Sequence, residues 1–184
     1  MKMKTSLTCS GLLVMLLASA PAAQAIALYG HVGENYTVVG TQINSWGPGL
    51  TLDANWANND GNGQEASLML GLNVPLGFLQ ITPGVRALYL DPSAGEEGYA
   101  AAPGMALQLA MGRHFTLYGE AWYAPDSLSS GVADYVSYEA GLRWHIIPLV
   151  SMDLGYRYIK LAGQDDDNDA VLADGGYLGA SVHF

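Results

Sequence analysis

Hydrophobic and polar residues alternate with a period of two along most of the chain after residue 25. The stretch VSYEAGLRW, Val136 to Trp144, places apolar and aromatic side chains on one parity and Glu139 and Arg143 on the other. Successive side chains of a β-strand point to opposite faces, so this period predicts strands. One face of the segment is strongly apolar, and the other carries a lone acid and a lone base. An ordinary half-buried strand would instead present a charged, hydrated face to water.

The alternating segments number about ten, and eight is the alternative count because the first hairpin is poorly patterned. The ten predicted strands cover residues 27–33, 37–44, 50–57, 65–74, 79–90, 99–111, 115–124, 134–146, 150–160 and 176–184. Short connections alternate strictly with longer or more acidic ones. Such alternation is typical of transmembrane β-barrels, which have tight periplasmic turns and longer outer loops. Pro83 and Pro103 fall within predicted strands, and we expect bulges there because a closed barrel has no free edge.

Seven charged residues share the less apolar parity of the predicted strands. They are Asp53, Arg86, Glu120, Glu139, Arg143, Asp153 and Arg157. A sheet that spans hydrocarbon must close so that every backbone group is paired, with its apolar face toward lipid. The interior of a small barrel is filled by side chains, and desolvated charges there must be paired. The pattern therefore predicts an all-β fold, a small closed antiparallel transmembrane β-barrel whose lumen is filled by a salt-bridge network.

The partners of these charges must come from neighbouring strands. Glu139 and Arg143 lie about 13 Å apart at roughly 3.3 Å per residue along one strand, too far apart to pair with each other. Glu120, Asp153 and Arg157 are the candidate partners. The alternative interpretation of the set is a catalytic or proton-relay site, since buried charge clusters also mark active sites.

The first 25 residues have the features of a secretory signal peptide. Lys2 and Lys4 precede an apolar run that ends in the sequence AQA, so we predict cleavage after Ala25. Residues 1–25 are then a removed leader and residues 26–184 the barrel domain. The only cysteine, Cys9, lies inside the leader, which excludes a disulfide or a thiol nucleophile in the mature chain.

Composition agrees with a membrane-embedded sheet. Half of the residues are hydrophobic and only 13% are charged, against about 25% in typical soluble domains. The net charge is −10, and two of the seven basic residues lie in the leader, so a nucleic-acid partner is not expected. A soluble exported β-barrel is the competing fold, but water would not tolerate the apolar parity as a continuous band.

The last strand ends in an aromatic residue. Phe184 shares its parity with Leu178, Ala180 and Val182. A terminal aromatic on such a strand resembles the signal that the bacterial outer-membrane insertion machinery recognises, which makes that machinery an expected partner. Other aromatic residues gather near strand ends, as interfacial girdles do. They are Trp46, Trp56, Tyr89, Tyr99, Trp122, Tyr123, Trp144, Tyr156 and Tyr158.

Several longer stretches resemble a known family. The segments GPGLTLDANWANND, LYLDPSAGEEGYAAA, LYGEAWYAPDSLSSGV and LGYRYIKLAGQDDDNDAVLADGGYLG are similar to the YfaZ family of small bacterial outer-membrane proteins. The similarity runs from about Gly30 to Phe184, and YAPDSLSSGV and GYRYI are its most specific parts. The resemblance implies a β-barrel in the outer membrane of a Gram-negative bacterium. It implies no catalytic motif.

Other segments of the chain give only weak signals for a metal site or a catalytic site. The acidic run DDDND at 165–169 lacks the Gly and Glu that an EF-hand loop needs at its sixth and twelfth positions. A solvated acidic loop is expected there, with a weak cation site as the alternative. The histidines do not align with a nucleophile either, because His145 and His114 belong to the turn end of the predicted barrel, whereas Ser129 and Ser130 belong to an outer loop.

The expected function is accordingly that of an outer-membrane barrel of structural or surface-contact type. No catalytic, cofactor or metal site is predicted. Membrane lipid and lipopolysaccharide are the expected surroundings of a monomer. The alternatives are a narrow porin for small solutes and a lipid-modifying outer-membrane enzyme.

Overall fold

The computed structural model describes residues 26–93, 97–131, 133–162 and 169–184. Within these residues the chain forms eleven β-strands, ten of which build one barrel. The strands are β1 (Ile26–Gly33), β2 (Tyr36–Ile43), β3 (Gly49–Asn59), β4 (Gly63–Leu76), β5 (Leu79–Pro92), β6 (Gly98–Met111), β7 (Phe115–Ala124), β8 (Ser129–Ser130), β9 (Asp134–Ile147), β10 (Val150–Ala162) and β11 (Ala170–His183). The two-residue β8 lies in a loop and pairs only with β6. The expected ten-stranded count is therefore confirmed, and the alternative of eight is wrong.

The sheet closes on itself through one antiparallel seam between the first and last strands, which pair from Ala27 with His183 to Gly33 with Tyr177. The other ladders of the ring join consecutive strands, including β5 with β6 along the length of both. The exception is β7, which pairs with β9 past the short β8. The closed antiparallel barrel that the alternation predicts is confirmed. Among the described residues, no helix is long and apolar enough to cross a membrane.

The barrel has two distinct ends. The turn end carries the start of β1 at Ile26, the C-terminal Phe184 and the connections 44–48, 77–78, 112–114 and 148–149. The loop end carries the remaining connections, including a 3-10 turn at Asp126–Leu128. The expected strict alternation of short and long connections is wrong for the first half of the chain. There, loop-end connections 34–35 and 60–62 are as short as those at the turn end. The second is short because β3 and β4 extend beyond their predicted bounds of 50–57 and 65–74.

Side chains alternate between the lumen and the outer surface as the sequence parity predicts. On β4 the lumen side carries buried Ser67 and Met69, while Leu68 and Leu70 are about half exposed on the outer face. All seven charges predicted to point inward do so, and they are buried or partly buried. The outer apolar band is the surface that meets lipid.

The expected bulges at Pro83 and Pro103 are wrong. The β4–β5 ladder is interrupted opposite Pro83, yet the pairs on either side, Gly71 with Gly84 and Val74 with Ile81, keep one register. Pro103 stands where β6 stops pairing with β7, so its missing N–H removes no ladder bond there. Register shifts occur instead at two places on β10. One of them accommodates Leu172 as an extra residue, since Ile159 pairs with Ala173 and Lys160 with Val171.

Candidate functional site

The half of the lumen near the loop end is filled by apolar side chains. We call these residues the loop-end cluster. Its members are Tyr36, Val38, Ala57, Leu88, Leu90, Ala100, Ala102, Trp122, Ala124, Tyr135, Ile159, Leu161, Leu172 and Ala173. Leu90 and Tyr135 are 0% exposed, and Met69 and Tyr177 extend the packing toward the middle of the barrel. The loop-end half of the lumen is therefore occupied by packed apolar side chains.

Trp122 belongs to this cluster and not to an interfacial girdle. Its side chain is 2% exposed and lies inside the barrel, so its predicted place in the girdle is wrong. The parity was visible in the sequence, because Trp122 lies two residues from the inward Glu120. The other predicted girdle residues lie on the outer surface, with Trp56, Tyr99 and Trp144 between 43% and 63% exposed.

One buried acid in the loop half was not predicted. Glu65 is 1% exposed and accepts a hydrogen bond from the Tyr135 hydroxyl at 3.2 Å. β4 and β9 are not neighbours in the barrel, so this bond crosses the lumen. Glu65 shares the parity of Ser67, which is the signal that would have placed it inside.

In the middle of the barrel, Glu139 is the centre of a polar network. Its carboxylate forms an ion pair with Arg157, which lies directly opposite on β10, and accepts a hydrogen bond from the Tyr177 hydroxyl. His31 stacks on the Tyr177 ring with centroids 4.4 Å apart, and its Nδ1 lies 3.9 Å from a Glu139 oxygen. Tyr118 joins its hydroxyl to that of Tyr177. The network links strands from β1 to β11 around one carboxylate.

Two further ion pairs join the remaining predicted charges. Arg143 donates from Nε to Asp153 at 2.6 Å, again between directly opposed residues of β9 and β10. Arg86 reaches from β5 over β6 to Glu120 on β7, with 2.7 Å between its NH2 group and Oε1. Ala102 is the β6 residue opposite Arg86, and its small side chain leaves room for this contact. Asp153 and Arg157 are thus confirmed as partners of Arg143 and Glu139, whereas Glu120 pairs elsewhere.

Asp53, the seventh predicted charge, is held without an arginine. Its carboxylate accepts hydrogen bonds from the Tyr29 hydroxyl at 3.0 Å and from the Asn55 amide at 2.9 Å. The side chain is 7% exposed. Neutral donors therefore satisfy an acid that the sequence suggested would need a basic partner.

Inward aromatic rings lie over glycines of the neighbouring strand. Tyr177 faces Gly155 across the β10–β11 ladder, and a Cβ added to Gly155 would come within 2.6 Å of the Tyr177 ring. Tyr118 stands in the same relation to Gly141, and Tyr29 to Gly40. The missing side chains make room for the rings against the wall. Tyr29 and Tyr177 then donate to Asp53 and Glu139, and Tyr118 reaches the Tyr177 hydroxyl. This pairing depends on register, so it was not read from the sequence.

Two cavities lie below the loop-end cluster. A central cavity of about 80 Å³ is lined by the mid-lumen charges, among them Arg86, Glu120 and Arg157. A larger cavity of about 390 Å³ lies at the turn end. Gln108 and Arg143 line both cavities and so stand between them. These two polar cavities thus lie in the middle and at the turn end of the barrel.

The histidines at the turn end are held by hydroxyl groups. His145 contacts Ser151 Oγ through Nδ1 at 2.9 Å and Thr116 Oγ1 through Nε2 at 3.1 Å. His183 lies 3.3 Å from Ser181 Oγ. The expected separation of His145 from the outer-loop serines is confirmed, since Ser129 and Ser130 form β8 at the loop end.

No metal centre is formed by the residues that the structure describes, where no group of three or more His, Cys, Asp or Glu side chains converges. Most of the acidic run 165–169 and the whole predicted leader 1–25 lie outside the described residues. Asp169 is described, and its Oδ2 lies 2.6 Å from the Lys160 ammonium group.

Comparison with known proteins gives one relationship that covers almost the whole chain. Residues 3–184 match the family described as YfaZ precursor. The "Outer membrane protein YfaZ" of Escherichia coli strain K12 is 45% identical over 175 residues, which cover 95% of this chain and 97% of that protein. The chain belongs to the YfaZ family. Its location is the outer membrane, as the alternation, the leader and the resemblance predict.

Solved structures share the YfaZ fold at low sequence identity. The transport unit of the autotransporter AIDA-I from Escherichia coli superposes with a TM-score of 0.51 at 14% identity, covering 91% of this chain and 92% of that one. A bacterial polysaccharide outer-membrane secretin gives a TM-score of 0.50 at 13% identity, covering 84% of this chain. The chain spans 57% of the length of that secretin structure. At these identities the likeness describes the barrel alone.

Proposed function

We propose that this YfaZ-family protein is a non-conducting, non-catalytic outer-membrane barrel that serves the envelope as a structural and surface-contact element. The observation that carries the proposal is the loop-end cluster, which fills the lumen where a channel would have to open. A 0% exposed Leu90 and a 2% exposed Trp122 leave no room for solute at that level.

The mid-lumen network supports the same function. A channel lining exposes its charges to water, whereas Arg86 and Arg157 are 4% and 6% exposed and each forms an ion pair with an acid. Charges that neutralise one another inside a narrow barrel brace neighbouring strands and present no selective field to a passing ion.

A catalytic role has little support from the described side chains. The Ser151 hydroxyl approaches His145, but Ser151 is 0% exposed and both His145 nitrogens face hydroxyl groups. A nucleophile needs a base that a third group orients and a path for substrate. Thr116 holds the other nitrogen of His145, but the fully buried Ser151 hydroxyl has no path for substrate. The narrow porin and the lipid-modifying enzyme are the outcomes that would contradict the proposal.

The surroundings of the barrel follow from its outer face. We propose that the apolar band contacts lipid and lipopolysaccharide. We also propose a monomer, because the closed barrel leaves no strand edge of the sheet unpaired. Phe184 is 72% exposed at the seam, where its N–H donates to the carbonyl of Ile26 at 2.8 Å. That position leaves the aromatic ring accessible to the outer-membrane insertion machinery before the seam closes.

Planar-bilayer recording of the refolded protein tests this function. The wild-type protein is expected to insert without conductance steps. A variant that opens the cluster, Leu90→Ser combined with Trp122→Ala and Tyr135→Ala, is expected to give small steps through the same barrel. A matched triple variant on the lipid face, Leu68→Ser with Trp56→Ala and Tyr99→Ala, should remain silent if it inserts.

Stepwise conductance of the wild-type protein would show a narrow porin and overturn the proposal. Release of fatty acid from lipopolysaccharide by the purified wild-type protein, lost in Ser151→Ala, would show an enzyme instead. Silence of the wild type together with conductance of the opened variant supports the sealing role of the cluster.

A further inference from the structure

The turn-end cavity has the composition of an anion site in a strongly acidic chain. It measures about 390 Å³, which lies within the usual size range of small-ligand pockets. Its lining includes Arg113 and Arg143, the rings of His145 and His183, and the Thr116 hydroxyl. None of its lining residues is an Asp or a Glu. Both charged residues of the lining are thus arginines, although the chain carries a net charge of −10; Arg143 is paired with Asp153, and Arg113 remains.

The connections at the turn end also lack acidic residues. The four connections 44–48, 77–78, 112–114 and 148–149 contain no acidic residue. At the loop end, by contrast, acids stand in or beside almost every connection; Asp60, Glu97 and Asp134 are examples. The connections at the turn end therefore place no acidic side chain at the approach to the cavity.

Arg113 is the group best placed to bind such an anion. It lies in the three-residue turn 112–114 and is exposed at the cavity. The salt bridges of the described residues involve Arg86, Arg143, Arg157, His31 and Lys160, so Arg113 has no acidic partner among them. A guanidinium without a carboxylate partner suits bidentate contact with a phosphate.

The rim of the cavity is apolar and lies beside the membrane. Trp46, Phe115 and Pro148 line it together with the donors, and Trp46 and Phe115 are 43% and 41% exposed. Phe115 also stacks on the outward-facing Trp144, with centroids 6.4 Å apart. In an outer-membrane barrel the turn end faces the periplasm, so this rim stands at the level of the inner-leaflet head groups.

We propose that the turn-end cavity binds a phosphate ester, with its phosphate group on Arg113 and its carbon portion against Trp46 and Phe115. The ester is either a free glycerol phosphate of the periplasm or the head group of an inner-leaflet phospholipid. The site goes beyond the sealing role, and its test does not depend on conductance.

Binding is measured on the full barrel refolded in dodecyl maltoside, a detergent without phosphate. In one arm, glycerol 3-phosphate is titrated by calorimetry at low salt, with glycerol as the control ligand. In the other, phosphatidylglycerol is doped into the micelles and retained lipid phosphorus is measured after washing, with diacylglycerol as the control. Each arm compares Arg113→Gln with Lys160→Gln, which removes the same charge at the loop end.

Arg113→Gln is expected to weaken binding about fivefold, the size of one partly exposed charge-assisted hydrogen bond. Lys160→Gln is expected to leave binding unchanged. Trp46→Ala should weaken the lipid arm more than the soluble arm.

Binding in the first arm alone identifies a free phosphate ester, and binding in the second arm alone identifies a lipid head group. Absence of binding in both arms would overturn the site. Equal losses for Arg113→Gln and Lys160→Gln would overturn it as well, since they would reveal only a general charge effect.

Discussion

The two halves of the lumen are built on the same strands, yet different chemistry fills them. On β9, the loop half carries Tyr135 in an apolar cluster, whereas the turn half carries Arg143 and His145 beside open cavities. On β5, Leu88 and Leu90 precede the loop end, and Thr82 and Arg86 face the middle and the turn end. The inward-facing positions of one strand are therefore apolar and packed near the loop end, and polar and beside cavities in the middle and at the turn end.

This difference shows that an inward-facing position of a small barrel is not by itself a polar position. Apolar packing removes water and closes the lumen, whereas ion pairs hold strands in register and tolerate neighbouring water. Substitutions in the two halves should accordingly lower the free energy of unfolding by different amounts. Denaturant titration in detergent micelles measures this quantity.

The largest effect is expected where charge is most deeply buried. Arg157→Met removes the ion-pair partner of Glu139 and should lower the free energy of unfolding by about 3–5 kcal/mol. Combining it with Glu139→Gln should recover part of the loss, because the uncompensated carboxylate is then gone. If Arg157→Met unfolded at the wild-type midpoint, water would have to solvate Glu139 in the middle of the barrel. The tightly packed part of the lumen would then be limited to the loop-end cluster.

The next effect belongs to the loop-end cluster. Leu90→Ala should lower the free energy of unfolding by about 2–5 kcal/mol, since a fully buried leucine leaves a cavity in a packed layer. Leu154→Ala makes the same change on the lipid face, where the side chain is 59% exposed, and should cost clearly less. Equal losses for the two variants would contradict the assignment of a packed interior.

A smaller effect is expected at the boundary between the halves. Arg143 pairs with Asp153, but its side chain is 16% exposed and lines both cavities, so water can take over part of the interaction. Arg143→Met should lower the free energy of unfolding by about 1–3 kcal/mol, less than Arg157→Met. A double-mutant cycle with Asp153→Asn measures the coupling, and a cost above that of Arg157→Met would reverse the proposed order of burial.

The smallest effect is expected outside the lumen. Lys160 pairs with Asp169 at the loop end, and the two side chains are 37% and 52% exposed. Lys160→Met should change the free energy of unfolding by less than about 1 kcal/mol, because solvent and salt screen an exposed pair. Raising the salt concentration should abolish even this difference, and a persistent larger loss would show a structural role that exposure does not suggest.

The alternation of apolar and polar residues was enough to predict the barrel. Period-two alternation is a property of each strand alone, so it revealed which residues face inward, among them all seven predicted charges, before any pairing was known. The number of strands followed from counting such segments, and the need to satisfy backbone groups in lipid implied closure. Errors arose where a single residue was judged by type instead of parity, as with Trp122, or where a turn was judged by composition, as at 58–64.

The tertiary structure decided which inward residues meet. Opposition of Glu139 with Arg157 and of Arg143 with Asp153 depends on the register of β9 with β10, and a one-residue slip would separate both pairs. The Tyr135–Glu65 bond and the Arg86–Glu120 pair join strands that are not neighbours, so they depend on the curvature of the closed wall. Alternation determines the side of a strand on which a side chain lies. Its height in the barrel and its partner across the lumen are set only when all ten strands have closed, because those contacts join residues that are remote along the chain.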